Sequence, residues 1–508
     1  MEQSEAQSLE PENLHLRFGG GPPDSVFNPV VLVIVLIAGI LLLLLPRTKA
    51  IFPFLLAGLL IPSDQVVVIA SVHFPMLRFL LLFGFARIAW TKFSGKGGIF
   101  SGGLNGLDKT VILLGVFIGV NGMLLYKESA EAIYQIGQFY TTVGSYLVLR
   151  FLIRDEEDVK RTIRALACVT IVVAGFMTYE ALTGRNLIYA ALGGVHGFQM
   201  QLAGERNDRV RAAGVFAHAI LAGTFGGFML PLFIGIWVRE KEGRIYAAAG
   251  AVGAVIMAIT ANSSTALMGC LGGICGFCFW PLRRHMRAVR WGIVATLVAL
   301  QLYMTSPVWH IIQDIDLAGG SSSYHRYALV DQCIRHFWAW ALIGTKDYGN
   351  WGWDMYDLSD QYVGTADTGG LIPLVLFLAI LVLGFKYVGR MRRAAETTDD
   401  RKQELFIWAI GASLFANVVA FVGISYFDQT IVAWYALLAM ITTVTLPIRK
   451  AEPAREAALV VKTDLTFSSG LASDPVGSRR SIVRKKQDRN AKAEFFQSED
   501  TVIQRRLR

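Results

Sequence analysis

The stretch Ser321–Gly370 reads SSSYHRYALVDQCIRHFWAWALIGTKDYGNWGWDMYDLSDQYVGTADTGG, and its reading decides the fold. It is the main part of the longest polar interruption, residues 306–368, in a chain otherwise built of hydrophobic runs. It holds one amphipathic run (Arg326 to Leu342), a Gly/Trp/Tyr-rich turn (Gly344 to Trp353), and the carboxylates Asp347, Asp354, Asp357, Asp360 and Asp367. A plain connector between two helices needs only a few residues, whereas a long loop of this composition more often carries function. The competing reading is a folded cap that only plugs one end of a bundle.

The flanking runs set the class. Hydrophobic residues make up 54% of the 508 and charged residues 17%, with mean hydropathy +0.46. A soluble domain is about a quarter charged. Apolar runs near the ~20 residues that cross a bilayer recur along the chain. The expectation is an all-α, polytopic transmembrane helix bundle with one large loop outside the membrane. Thirteen segments are read as spans: 27–45, 50–70, 74–92, 108–126, 132–152, 162–183, 213–237, 244–261, 264–281, 291–306, 370–388, 404–424 and 429–447. The turn between the second and third falls at Ser63-Asp64-Gln65 or at His73-Phe74-Pro75.

Basic residues collect in alternate loops: Arg47 and Lys49; Arg87 to Lys109; Arg150 to Arg164; Arg239 to Arg244; Arg283 to Arg290; Lys386 to Lys402. The positive-inside rule places these loops in the cytoplasm, with the tail after Pro447. The 306–369 loop, the loops 184–210 and 426–428, and the N-terminus then face outward. The net charge of +9 is mostly this orientation signal and calls for no nucleic acid. Residues 1–26 are acidic, lack the basic start of a secretory signal, and read as an unstructured segment. The membrane domain is 27–447. The tail 448–508 has no apolar period and reads as disordered, its Arg479-Arg480 and Arg484-Lys485-Lys486 able to lean on anionic lipid.

Cysteine usage suggests no disulfide framework. Cys275 and Cys278 form a CxxC inside an apolar helix and read as small packing residues. Cys333 lies alone in the polar stretch. Neither a metal nor a cofactor is expected.

Two outer regions carry candidate chemistry. In the first, Glu205-Arg206-Asn207-Asp208-Arg209-Val210-Arg211 precedes Ala-Ala-Gly214-Val-Phe216-Ala-His218 and the seventh span. Three arginines on the outer side oppose the charge trend. Arginine holds phosphate through paired, charge-assisted hydrogen bonds, so an anionic ligand is one reading; pairing with Glu205, Asp208 and lipid headgroups is the other. His218 is expected one to two turns inside the span, facing a cavity or polar partner. Arg78 is expected mid-helix or at the outer mouth, facing protein. In the second region, His325-Arg326 opens the amphipathic run. Arg326, Val330, Ile334, Phe337 and Ala341 share one helical face, which predicts a helix lying at the interface with Arg326 toward the bilayer-facing mouth. The aspartates and Trp351, Trp353, Tyr356 and Tyr362 are of the type that hold sugars, and equally of a type found in structural loops.

These residues resemble the O-antigen ligase and polymerase superfamily, polytopic proteins that transfer glycans from a polyprenyl diphosphate carrier at the outer face of the bacterial cytoplasmic membrane. Arg211-Ala-Ala-Gly-Val-Phe resembles the family's Arg-x-x-Gly-x-Phe at the start of a middle helix. Asn262-Ser263-Ser264-Thr265-Ala266 resembles its Ser-rich outer turn, without the arginine that often follows the serine. His325-Arg326, Leu342-Ile343-Gly344-Thr345 and Asp357-Leu-Ser-Asp360-Gln-Tyr362 resemble its large outer loop. The resemblance covers residues 65–445. Ligases commonly carry His-Asn where this chain has Ser359-Asp360, which favours a polymerase-like member.

The resemblance implies metal-independent glycosyl transfer with no cofactor. The partners are a polyprenyl diphosphate-linked glycan, membrane lipid and other polysaccharide assembly or export proteins. It implies Arg211 and Arg326 on the diphosphate, with Arg209 and Arg78 as lesser candidates. Asp357, Asp360, His325 and His218 are candidates for acceptor contact or base. The carrier's tail is expected in a groove open sideways to the outer leaflet. Alternative functions are ligase-type transfer to another acceptor, transport of an anionic or lipid-linked substrate, and a structural role in an export assembly. A transporter needs a midplane site reachable from both faces, whereas these residues cluster at one side.

Overall fold

The computed structural model describes residues 25, 27–69, 72–95, 98–193, 204–206, 209–314 and 322–446. The expectations for residues 1–24, for most of the 184–210 loop's centre and for the tail lie outside the described residues.

Each of the thirteen apolar stretches contains one α-helix. The first six are α1 (Pro29–Leu44), α2 (Arg47–Leu60), α3 (Met76–Phe93), α4 (Gly106–Tyr126), α5 (Ser129–Leu152) and α6 (Glu156–Thr183). Next come α7 (Ala219–Arg239), α8 (Arg244–Thr260), α9 (Ser264–Cys278) and α10 (Met286–Tyr303). Three helices fold the long loop: α11 (Ser322–Arg335), α12 (Phe337–Trp340) and α13 (Gln361–Gly369). The chain then returns through α14 (Leu371–Thr397), α15 (Arg401–Ala420) and α16 (Thr430–Val444). Five helices (α4, α6, α7, α14 and α15) are long and apolar enough to cross a membrane. A sixth results if α10 and the short helix after it, bent by 94°, count as one span. Helices α1, α8, α9 and α16 are apolar but only 16, 17, 15 and 15 residues long. Helix α3 carries Arg78, Arg87 and Lys92. This is a membrane protein by its apolar helices.

The fold is not purely helical. Strands β1 (Val66–Ile69) and β2 (Val72–Pro75) form an antiparallel hairpin between α2 and α3, so Ser63-Asp64-Gln65 precedes the hairpin and His73-Phe74-Pro75 is part of its second strand. Strands β3 (Gly204–Arg206) and β4 (Arg209–Arg211) form a second.

Local chemistry sets the ends of the helices. Asn105 and Asp108 form a reciprocal capping box on α4, and Asp155 and Asp400 cap α6 and α15, each satisfying otherwise unpaired amides. Helix α7 is the most enclosed of the spans. Its Gly226 and Gly227 let α8 and α9 approach closely: an added Cβ would lie 2.7 Å from the Ala254 carbonyl and 2.7 Å from the Cys270 amide. Small residues permit such contacts where lipid supplies no hydrophobic drive between helices. Helix α10, by contrast, buries none of its residues.

The face bearing the basic loops is tied together by ion pairs. Glu156 accepts from Arg239 at 2.9 Å and from Gln403 at 2.9 Å. Glu404 accepts from Arg283 at 2.9 Å and Arg392 at 2.7 Å. Deeper in, Arg150 and Asp108 pair at 3.3 Å with both side chains fully buried. The opposite end of the bundle is roofed by α11–α13 and is called the capped face below.

Candidate functional site

The cap is held to the bundle by main-chain lacing. The Gln361 amide donates to Phe421 O at 2.8 Å, and Ser425 Oγ to Leu358 O at 2.8 Å. The Tyr426 amide donates to Gln361 Oε1 at 2.9 Å, and Tyr362 Oη to Val418 O at 3.0 Å. The start of α13 is thereby fixed against the chain leaving α15.

Helices α11 and α13 pack through Leu329, Cys333, Val363 and Ala366. Polar residues occupy both ends of this contact. At one end Arg326, 4% exposed, donates from Nη2 to Thr265 Oγ1 on α9 at 2.7 Å. Gly423 makes room for it, because an added Cβ would lie 3.0 Å from Arg326 Nε. Asp360, 1% exposed, caps α13, its Oδ1 accepting from Tyr362 N at 2.7 Å and Val363 N at 2.9 Å. Its Oδ2 takes neither amide. Burial pushes the Asp360 carboxyl up to about 7, the two amides and Arg326 opposing the shift and Asp367 adding to it. At the other end the Cys333 thiol donates to Asp367, and burial pushes the Asp367 carboxyl up to about 7 against that bond. The cysteine that had no evident partner in sequence therefore has one.

The predicted amphipathic face needs correction. The run breaks at His336, between α11 and α12, and the buried row is Arg326, Leu329 and Cys333, whereas Ile334 is exposed. The helix packs on α13 through this row, with Val330 partly buried at its edge and Ile334 turned outward. Arg326 accordingly faces the bundle.

His325 is buried, its Nε2–H donating to Asp354 O at 3.0 Å. Asp354 stands in the left-handed region (φ 57°). Asp357 lies exposed in the loop nearby, its carboxyl raised by desolvation with His325 opposing the shift.

The Arg211 segment reaches the same corner from the other side. The Ala212 amide donates to Thr260 O, at the end of α8, at 3.1 Å. The turn that follows is held by Glu180 of α6, which accepts from Gly214 N at 2.8 Å and Ala213 N at 3.2 Å. Gly214 needs its φ of +61° there. This turn keeps His218 out of the helix: α7 begins at Ala219, and His218 caps it, Nδ1 accepting from Ile220 N at 3.2 Å. The expectation that His218 lies one to two turns inside the span is thus wrong. Burial, then the charge of Arg211, lower its imidazole to about 4, so it is neutral at pH 7. Arg211 and Arg326 therefore flank one short turn, Ala261–Ser263, between α8 and α9.

Two candidates lie elsewhere. Arg209 is exposed on β4. Arg78, third residue of α3, turns to α5 and β2, donating to Thr141 Oγ1 at 3.1 Å and His73 O at 2.7 Å.

Asp428 and Glu180 escaped the sequence reading, and Thr265 entered it only as part of the serine-rich turn. Asp428 accepts from Ala217 N at 3.1 Å, Thr430 N at 2.8 Å and Thr430 Oγ1 at 2.7 Å, bracing the approach to α7. Its signal, a lone carboxylate in a short loop between apolar helices, was on view. Glu180 sits at the end of an apolar span and Thr265 in a serine-rich turn, with no local pattern naming their partners.

Between α6 and α8 lies a lateral crevice of about 460 Å³ lined by small and apolar residues, among them Ala174, Gly175, Thr178, Ala249 and Gly253. The Arg211 hairpin stands at the capped-face ends of these two helices. The chain matches no protein-family model and no curated protein.

Proposed function

We propose that the protein lengthens a surface polysaccharide by glycosyl transfer from a polyprenyl diphosphate-linked donor, with the capped face outside the bacterial cytoplasmic membrane. The observation that carries this reading is the nearness of a buried arginine to a buried carboxyl group raised to about 7: Arg326 seated on Thr265, and Asp360 within reach of its charge. In the reaction the acceptor hydroxyl attacks the anomeric carbon, the bond from that carbon to the carrier phosphate breaks, and the hydroxyl proton leaves. Arg326 and Arg211 take up the charge that develops on the diphosphate. Asp360, through Oδ2, receives the proton; a carboxylate with a pKa near 7 suits this task. Asp360 also positions α13 through Oδ1, so it serves a structural purpose whichever chemistry applies. His218, neutral and used as a cap, is set aside as a cation or base. Arg78 and Arg209 are set aside as diphosphate ligands.

The crevice between α6 and α8 suits the carrier's isoprenoid tail, since small and apolar residues line it and the Arg211 hairpin meets the capped-face end of α8. The test is direct. Purified protein in lipid nanodiscs is incubated with a lipid diphosphate-linked oligosaccharide, and products are sized. Longer chains are expected from wild type and none from Arg326→Ala. Transfer onto a lipid core without lengthening would establish a ligase instead, and wild-type inactivity with both acceptors would refute the reading.

A further inference from the structure

We propose that the first turn of α9, opened by Ser263, is a phosphate seat belonging to the same site, so that main-chain amides and a hydroxyl share the diphosphate with Arg326 and Arg211. The inference rests on the functional reading above for the identity of the ligand, but on separate observations for the seat.

Ser263 is the residue before α9, with extended backbone (φ −140°, ψ 130°) and no side-chain hydrogen bond to the helix. Serine at this position ordinarily caps an amide of the first turn. Its hydroxyl is instead 0% exposed and without a hydrogen-bond partner. A buried hydroxyl left unpaired is costly, so such a group calls for an explanation. Its surroundings suggest an anion. Helix α9 is 15 residues long and has no acidic residue in its first turn, so its N-terminus presents uncompensated positive dipole charge. Arg326 sits on the next turn residue but one, Thr265, at 2.7 Å. Ala212, the residue after Arg211, donates its amide to Thr260 O on the far side of the Ala261–Ser263 turn. Gly423 packs closely over this corner, where an added Cβ would come within 2.6 Å of Thr265 Oγ1. Asn262 holds the turn in the left-handed region (φ 43°), a conformation asparagine tolerates best among non-glycine residues.

The chemical class that fits is a phosphate or diphosphate oxyanion: one oxygen on the Ser263 hydroxyl and the α9 amides, others on the two guanidinium forks. The source is either a prenyl diphosphate or free diphosphate.

The experiment measures binding of inorganic pyrophosphate and of a short-chain prenyl diphosphate to the full-length protein in phosphatidylcholine nanodiscs. Wild type, Ser263→Ala, Ser263→Thr and Thr224→Ala are compared. Thr224 is the control, a second buried hydroxyl without a partner, placed inside α7 with its methyl toward Gly269, further along α9 than Ser263. Ser263→Ala should weaken binding of both ligands roughly tenfold, the worth of a hydrogen bond to a charged group. Ser263→Thr should restore most of it, and Thr224→Ala should change nothing. The prenyl ligand binding more tightly than pyrophosphate would assign the seat to the carrier; equal binding would assign it to free diphosphate. If Ser263→Ala binds like wild type while Arg326→Ala does not, the α9 seat is refuted and the arginine site stands. If Ser263-dependent binding is found but no chain is ever lengthened, the seat stands and the glycan reading falls.

Discussion

Arg326 on α11 and Thr265 on α9 stand 61 residues apart and meet at 2.7 Å. Between them the chain leaves the bundle along α10, which buries nothing, and returns as the cap. This hydrogen bond therefore fastens the cap to the bundle at the point where a buried cation is needed. A guanidinium left there without anions would be costly, and its neighbours are a carboxylate, a threonine hydroxyl and the start of a helix.

Removing that cation tests its function. Arg326→Ala should lower transfer by about 10²–10³-fold, the usual effect of deleting one charge-stabilising donor. Lysine should rescue poorly, because a point charge does not reproduce the paired donors. Thr265→Val should leave the charge but not its anchor, giving a smaller loss. Equal activity of wild type and Arg326→Ala in a quantitative transfer assay would remove the arginine from the mechanism.

Stability should depend on pH through the two buried aspartates. Asp360 and Asp367 are each raised from 3.8 to about 7 in the folded protein. A group whose folded pKa is raised stabilises the fold fully below its unfolded value, and that contribution is lost as pH rises through the folded value. Thermal unfolding in detergent should thus occur at progressively lower temperature between about pH 4 and pH 7. Asp367→Asn should flatten the slope, since a neutral amide has no proton to lose. A slope unchanged in this variant would show that the titrating groups lie elsewhere.

A stability test of the opposite end concerns Arg150 and Asp108. Both are fully buried, and Arg150 also donates to Ser101 O at 2.8 Å. Deleting one partner leaves the other charge stranded, which costs about 3–5 kcal/mol. Arg150→Ala should lose far more stability than the double variant Arg150→Met/Asp108→Asn. Similar melting of the two would mean that the pair is not the source of the effect.

Orientation is testable by labelling, and the structure selects the probes. Gly349 and Ala395 suggest themselves from loop position alone. An added Cβ at Gly349, however, would lie 2.1 Å from the Tyr356 ring, and Ala395 is 3% exposed. Cysteines at exposed Asn350 and Arg393 avoid both problems, in a background where exposed Cys275 and Cys278 are replaced by alanine. A membrane-impermeant thiol reagent should reach Asn350→Cys and miss Arg393→Cys. The reverse pattern would turn the proposed site to the cytoplasm.

The helices were legible because each is an apolar run long enough to form several turns, and such runs need no tertiary information. The cap was less so. Arg326, Asp360 and their region stood out by composition, but which face of α11 is buried depends on α13, a helix 35 residues further on. The row Arg326–Val330–Ile334 suggested one face, and packing against α13 centres the buried face on Leu329 and Cys333, leaving Val330 at its edge and Ile334 outside. His218 was misplaced for a similar reason. Its segment is apolar enough to extend α7, but Glu180, from a different helix, binds the amides of Ala213 and Gly214 and holds them in a turn. Cys333 found its partner only because α11 and α13 pack side by side. In each case the deciding partner is remote in sequence.

The reaction type turns on Asp360. Its Oδ1 is committed to the amides of Tyr362 and Val363, so its replacement must be chosen to spare the α13 cap. Asparagine does so: its side-chain oxygen can accept the same two hydrogen bonds, while the group loses its capacity to take a proton. Asp360→Asn should therefore keep the fold and donor binding yet cut chain lengthening by about 10²–10⁴-fold, the usual contribution of a general base. In the wild type, lengthening should rise with pH and level off above about 7, as the Asp360 carboxyl ionises. The residual activity of the variant should lack that rise. Donor binding, followed with a prenyl diphosphate, should be equal in the two proteins. A variant that binds donor poorly, or one that retains the pH rise, would show that Asp360 only shapes the cap and that the proton goes elsewhere, with Asp357 beside His325 the next carboxylate to test.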